Sequence, residues 1–153
     1  MINRILPIVA IAALTLTGCQ ESADETAQDV SDARKEANEN IADARTDANE
    51  TMLTADENES DAIHTYANSD AKAQVKLRAA EADAISERAR ADYDLAIATS
   101  KGTHEVEVQK CDALDAGVDR TACKTTADAV LATATADAKA RRDEALMTAK
   151  NYE

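Results

Sequence analysis

The sequence predicts an all-α protein: a long alanine-rich helix or coiled-coil arm with an 11-residue repeat, followed by a disulfide-stapled helical hairpin. Helix breakers are rare, with three Gly and one Pro in 153 residues. Alanine and charged residues, most of them with high helix propensity, dominate the rest. Phe and Trp are absent and Tyr occurs three times, so the core is expected to be thin. Because few aliphatic residues and a high net charge are also typical of unfolded chains, disorder is the alternative.

Residues 1–18 have the order of an export signal. Arg4 supplies a charge near the start, and an apolar stretch from Ile5 to Leu16 leads into small residues. The stretch is about 12 residues long, whereas a membrane-spanning helix needs roughly 20. We therefore expect residues 1–18 to be removed as a lipoprotein signal peptide.

The apolar stretch ends in a tetrapeptide that resembles the lipobox of bacterial lipoproteins: Leu16-Thr17-Gly18-Cys19. The resemblance implies that Cys19 becomes the first mature residue and carries acyl chains, such as palmitate, on its sulfur and its amine. Several chains hold a protein at a membrane where one alone binds marginally. Gln20, where Asp would resemble an inner-membrane retention signal, implies a periplasm-facing position on the outer membrane of a Gram-negative cell. A secretory signal cut at another position is the alternative.

Residues 19–27 are predicted to be the lipid anchor and tether, and residues 28–100 a long, acidic, alanine-rich helical region. Two 11-residue blocks, SDARKEANENI and ADARTDANETM, occupy residues 31–52. Eleven residues make three helical turns, so equivalent positions share one face of the helix. The larger apolar residues of this face form a predicted interaction stripe, for self-association or for a partner protein: Val30, Ile41, Met52 and Ile63.

A row of alanines widens this stripe and would allow another helix to approach closely: Ala33, Ala37, Ala44, Ala48 and Ala55. The segments 56–61 and 68–70 are poor in helix formers and repel through like charges, so either of them could form a bend. Without a bend, the region would be a rod roughly 115 Å long. With one, its two halves would pack antiparallel, and the sequence leaves both arrangements open.

Residues 103–150 are predicted to form a helical hairpin. Gly102 is suited to the left-handed conformation that ends a helix, and Thr103 is suited to cap the next one. A shorter helix is therefore expected over about residues 104–114. A second helix is expected from Thr121 onwards.

Cys111 and Cys123 are predicted to join the two arms of this hairpin. In one continuous helix they would be about 18 Å apart, whereas a disulfide needs Cα atoms within roughly 7 Å. The bond therefore requires a chain reversal near Gly117, where Asp115 and Asp119 supply turn residues. Zinc ligation and redox activity are the alternatives, but four closely spaced ligands and a Cys-x-x-Cys motif are absent.

The pattern Cys-Asp-Ala-Leu, Gly, Cys in this hairpin also resembles a segment of exported proteins of Gram-negative bacteria. The resemblance covers roughly residues 110–140. It implies no known activity.

No arrangement typical of a catalytic, metal or cofactor site occurs in the sequence, so neither an enzyme activity nor a cofactor is predicted. His64 and His104 each have a carboxylate three residues away, which could place two metal ligands on a helix face. Solvated surface histidines are the expected outcome. The acidic run 56–61 lacks the Gly and the ordered spacing of a calcium loop.

The charge of the chain limits its partners. Thirty acidic and 17 basic residues give a net charge of −13, and loss of Arg4 with the signal makes the mature chain one unit more negative. Binding to nucleic acid or to anionic head groups rests on Lys and Arg, so no nucleic-acid partner is predicted. The acyl chains, rather than the polypeptide, are expected to hold the membrane.

In general plan the chain is similar to the major murein lipoprotein of enteric bacteria, which is small, helical, alanine-rich and lipid-anchored. That family joins peptidoglycan through a C-terminal Lys, whereas here Glu153 is last and Lys150 stands three positions before it. Its core follows a seven-residue repeat rather than an 11-residue one. The resemblance therefore leaves room for a non-covalent peptidoglycan contact and does not imply a trimeric coiled coil.

These patterns predict a lipid-anchored structural spacer or protein-interaction module of the cell envelope, with the hairpin at the distal end. Two alternatives remain. The charged 11-residue repeats at about residues 31–63 resemble those of late-embryogenesis-abundant proteins, stress protectants that become helical on drying or at a lipid surface. The acidic surface would also suit a periplasmic adaptor or inhibitor of a basic partner.

Overall fold

A computed structural model describes residues 23–66 and 71–152. These residues form three α-helices and no strand: α1 (Ala23–Tyr66), α2 (Ala71–Asp112) and α3 (Val118–Lys150). The predicted all-α fold with a disulfide-stapled hairpin is confirmed. The signal peptide, the lipobox with Cys19 and the predicted bend at 68–70 lie outside the described residues.

Helices α1 and α2 pack antiparallel. Gly102, late in α2, lies beside Ala37, which is early in α1. Arg88, earlier in α2, pairs with Asp56, which is later in α1. The chain therefore folds back after α1, whose 44 residues span about 66 Å. The continuous rod of roughly 115 Å, one of the two arrangements that the sequence allowed, does not form.

The acidic segment 56–61 is helical inside α1 rather than a bend. The Arg88 side chain of α2 donates hydrogen bonds to Asp56, at 2.5 Å, and to Glu59. Both bonds raise the pKa of Arg88, and the bond to Glu59 has the larger effect. One cation held between two carboxylates reduces the like-charge repulsion that favoured a bend here.

The predicted helix end at Gly102 is wrong, because α2 runs through it to Asp112. It therefore crosses the predicted boundary between residues 28–100 and 103–150. A Cβ atom placed on Gly102 would lie 2.9 Å from the Ala37 Cβ and 3.3 Å from the Ala37 Cα. The glycine lets the two backbones approach closely and does not end the helix.

Helix α2 is the middle helix of a flat layer. Gly102 faces α1, whereas Cys111 is bonded to Cys123 of α3. Nine residues separate Gly102 from Cys111, which corresponds to a rotation of about 180° around the helix axis. Helices α1 and α3 thus lie on opposite sides of α2 and, among the described residues, do not contact each other.

Buried alanines with helical spacing form both seams of the layer. In α3, Ala127, Ala138 and Ala149 are buried at intervals of 11 residues. In α1, Ala37 and Ala48 are buried at the same interval. The 11-residue period seen at the start of the chain therefore extends to its last helix, and it keeps each seam nearly straight along the helices.

The α2–α3 turn, residues 113–117, reverses the chain as the cysteine spacing requires. The Cα atoms of Cys111 and Cys123 are 5.6 Å apart in the disulfide. Gly117 has φ +153°, a conformation that other residues rarely adopt. The Arg120 guanidinium donates two hydrogen bonds to the Leu114 carbonyl oxygen, at 2.9 and 2.6 Å. The turn is thus held by the disulfide and by Arg120.

Candidate interaction site

An open groove of about 640 Å³ lies between α2 and α3 next to the disulfide. We call it the α2–α3 groove, and its residues from both helices include Thr99, Thr103, Thr126, Val130, Leu131 and Ala134. The disulfide lies at one end. From Cys123 to Ala134 the groove follows eleven residues of α3, about 16 Å.

The threonines of the groove use their hydroxyl groups inside their own helices. Thr99 donates to the Leu95 carbonyl oxygen and Thr126 to the Ala122 carbonyl oxygen, each at 2.9 Å. Thr103 donates in the same way to Thr99. Because these hydroxyls are occupied, the side chains offer the groove chiefly their methyl groups, and its surface is mainly apolar.

Val130 is the most exposed apolar residue of the groove, with 59% of its surface accessible. It follows Thr126 by four residues in α3, so the two lie on the same side of the helix. A β-branched side chain left in water has apolar area that a partner can bury, and its removal from water favours binding.

Polar pairs border this apolar strip. His104 Nε2 of α2 donates to Asp128 Oδ1 of α3 at 2.7 Å and bridges the two helices. Glu107 accepts a 2.6 Å hydrogen bond from Lys110. His104 therefore pairs with Asp128 across the seam, not with Glu107, the carboxylate three residues away that the sequence offered as a second metal ligand.

Farther along the same seam the α2–α3 contact becomes polar. The Arg142 guanidinium lies 4.5 Å from the centre of the Tyr93 ring and hydrogen-bonds Asp143 at 2.7 Å. Lys139 also donates to Asp143, at 3.2 Å. The hydrogen bond from Arg142 lowers the pKa of Asp143 below its ordinary value, and the bond from Lys139 lowers it further by a smaller amount. A cavity of about 380 Å³ lies beside Tyr93 and Arg142.

No protein family, curated protein or solved structure matches the chain in comparison.

The predicted interaction stripe lies along the edge of the α1–α2 seam. Val30, Ile41 and Met52 are half-buried, and Ile63 is 43% exposed. Four alanines of the same row are buried in the seam itself, namely Ala33, Ala37, Ala48 and Ala55, and Ala55 is fully buried. The partner of the alanine row is thus a helix of the same chain, while binding of another protein by the stripe stays a prediction.

Residues 23–66 and 71–152 contain neither a metal-binding cluster nor a helix that could span a membrane. In this part of the chain no three His, Cys, Asp or Glu side chains are grouped so that they could hold a metal ion. None of its helices combines the length and the apolar character needed to cross a membrane.

Sequence reasoning missed the α2–α3 groove, although it named the two cysteines at its end. The available signal was a pair of rows with four-residue spacing, Thr99 and Thr103 in one helix and Thr126 and Val130 in the other. These rows contain β-branched residues, whereas the row of small residues in the 11-residue blocks consists of alanine. Their juxtaposition depends on the register that the disulfide sets, which the rows alone do not give.

Proposed function

We propose that the mature chain is a non-enzymatic lipoprotein of the outer membrane, facing the periplasm, and that its helical layer binds a partner protein of the cell envelope. The observation that carries the binding role is the apolar α2–α3 groove, with Val130 exposed at its edge. The lipobox at Leu16 to Cys19 supports the anchor. The disulfide suits an oxidising compartment such as the periplasm.

The groove fits the apolar face of a helix. Helices dock into apolar grooves through side chains at three- and four-residue spacing, and the groove offers about 16 Å, or three helical turns. The net charge of −13 favours a partner with Lys and Arg beside that face, because opposite charges accelerate association. The expected partner is therefore a basic amphipathic helix of an envelope protein.

Photocrosslinking in living cells tests this role. A benzophenone amino acid replaces Val130 in the full chain, and in a matched control it replaces Met147, which is 68% exposed and lies about 25 Å farther along α3. We expect a discrete crosslinked product from position 130 that is absent at position 147. Identical products at both positions, or none at either, would refute the groove as the binding site.

The buried alanine rows and the disulfide support a chain that is folded in water, which weighs against the protectant alternative. Circular dichroism of residues 20–153 in dilute buffer separates the two. An interaction module should be helical there, whereas a protectant should become helical only on drying or with vesicles.

A further inference from the structure

The α2–α3 turn lies at the same end of the layer as the start of α1. Ala37 of α1 is level with Gly102 of α2, and the helices run in opposite directions. The ten residues from Gly102 to Asp112 therefore end level with about residue 27–31 of α1. Ala23 lies a further 6–12 Å beyond that level, beside the turn. The hairpin turn, expected at the distal end of a spacer, is thus next to the end where the lipid anchor is attached.

Two apolar side chains are exposed at this turn. Val118 is 83% exposed, the largest value among the large apolar side chains that the structure describes, and Leu114 is 39% exposed. Small residues, Ala113, Ala116 and Gly117, surround them. Nothing in the helical layer covers Val118, so its burial requires a surface outside the layer.

The charged side chains next to the turn partly neutralise one another. The Asp112 carboxylate forms an ion pair with Lys124, at 2.6 Å, and the Arg120 guanidinium lies 3.9 Å from the same oxygen. Asp115 and Asp119 add negative charge at the turn. This balance disfavours anionic head groups, which bind clusters of Lys and Arg. It is compatible with a zwitterionic surface that accepts apolar side chains.

Only a short length of chain separates the proposed lipid anchor at Cys19 from α1. Cys19 precedes Ala23 by four residues, which span at most about 14 Å when fully extended. Acyl chains on Cys19 would therefore hold the start of α1, and the turn beside it, within reach of the bilayer surface.

We propose that residues 113–118 contact the zwitterionic bilayer that holds the Cys19 lipid, with Leu114 and Val118 inserted at the interface. The layer then stands with the disulfide end at the membrane and the opposite end, near Tyr66 and Ala71, away from it. This inference rests on the lipid anchor of the proposed function and adds a second contact and an orientation to it.

The test uses the full lipidated chain in phosphatidylcholine and phosphatidylethanolamine vesicles. A nitrobenzoxadiazole label is attached at V118C, and in a matched variant at M147C, about 44 Å away along α3 and also exposed. Circular dichroism verifies that both variants keep the helical fold. We expect a blue-shifted emission at V118C and several-fold stronger quenching by brominated lipids than at M147C.

The other outcomes overturn either the turn contact or the lipid anchor on which it rests. Flotation with the vesicles but equal quenching of the two labels would refute the turn contact alone. A blue shift at V118C without bromine quenching would mean that protein, such as a second copy, covers Val118, and would also refute it. Failure of the wild-type chain to float would overturn the Cys19 anchor itself and the contact that depends on it.

Discussion

Replacement of Gly102 by alanine tests the packing of the layer at its closest approach. The new Cβ would lie 2.9 Å from the Ala37 Cβ and 3.3 Å from the Ala37 Cα. Carbon atoms in favourable contact are about 3.5–4.0 Å apart. Neither Ala37 atom belongs to a flexible side chain, so the substitution requires α1 and α2 to separate locally by roughly half an ångström or more.

Two opposing effects set the magnitude. In an isolated helix, Gly→Ala would stabilise by about 1 kcal/mol because alanine has the higher helix propensity. Overpacking a close contact costs typically about 1–3 kcal/mol. The steric cost should exceed the propensity gain, so we expect Gly102→Ala to lower the free energy of unfolding by about 1 kcal/mol.

Urea unfolding followed by circular dichroism measures this change, and a double-mutant cycle isolates its cause. Ala37→Gly alone loses helix propensity and a buried methyl group, about 2 kcal/mol together. In the double variant the propensity changes cancel and the Cβ–Cβ clash is absent. The double variant should therefore be clearly more stable than the sum of the two single changes predicts. A Gly102→Ala protein more stable than the wild type, with additive effects in the cycle, would refute the close contact.

Further predictions concern the α2–α3 seam. Cys111→Ser with Cys123→Ser should lower the free energy of unfolding by about 3 kcal/mol in the chain-entropy model, seen as an earlier urea midpoint; an unchanged midpoint would contradict a structural disulfide. The lowered pKa of Asp143 means that its pairs with Arg142 and Lys139 contribute stability above the ordinary pKa of 3.8, and that this contribution is lost as the pH falls through the lower folded value. Asp143→Asn should therefore reduce the loss of stability between neutral and strongly acidic pH, measured by thermal unfolding, and an identical pH profile would count against the pairing.

Local features of the sequence were sufficient to predict the fold class and the disulfide. Cys111 and Cys123 are separated by 12 residues with Gly117 between them, and only a chain reversal brings such cysteines together. The turn is determined by residues close in sequence, so sequence reasoning could find it.

Gly102 shows why other features could not be found in this way. A glycine followed by Thr103 has the local pattern of a helix end, and the same glycine also permits close helix contact. The deciding contact is with Ala37, which is 65 positions earlier in the chain. No local pattern contains that information, since the register of α1 against α2 is a tertiary property.

The flat layer was missed for a related reason. Helix α2 has small buried residues on two opposite sides. Ala84 and Ala91 face α1, whereas Ala82 and Ala89 face α3. A helix with two apolar sides has no single apolar stripe, so its sequence resembles a weakly amphipathic one. The groove depends on the same arrangement, because its residues come from two helices that the disulfide aligns.

Mass spectrometry tests the proposed anchoring of the folded helical layer to the outer membrane through Cys19. The full chain is expressed in a Gram-negative host, its membranes are separated, and the mass of the N-terminal peptide is measured beside a Cys19→Ser control. We expect a mature chain that begins at Cys19, carries acyl chains and fractionates with the outer membrane, while the control is neither acylated nor membrane-bound. An unmodified Cys19, or a mature chain that begins elsewhere, would contradict the proposed anchoring.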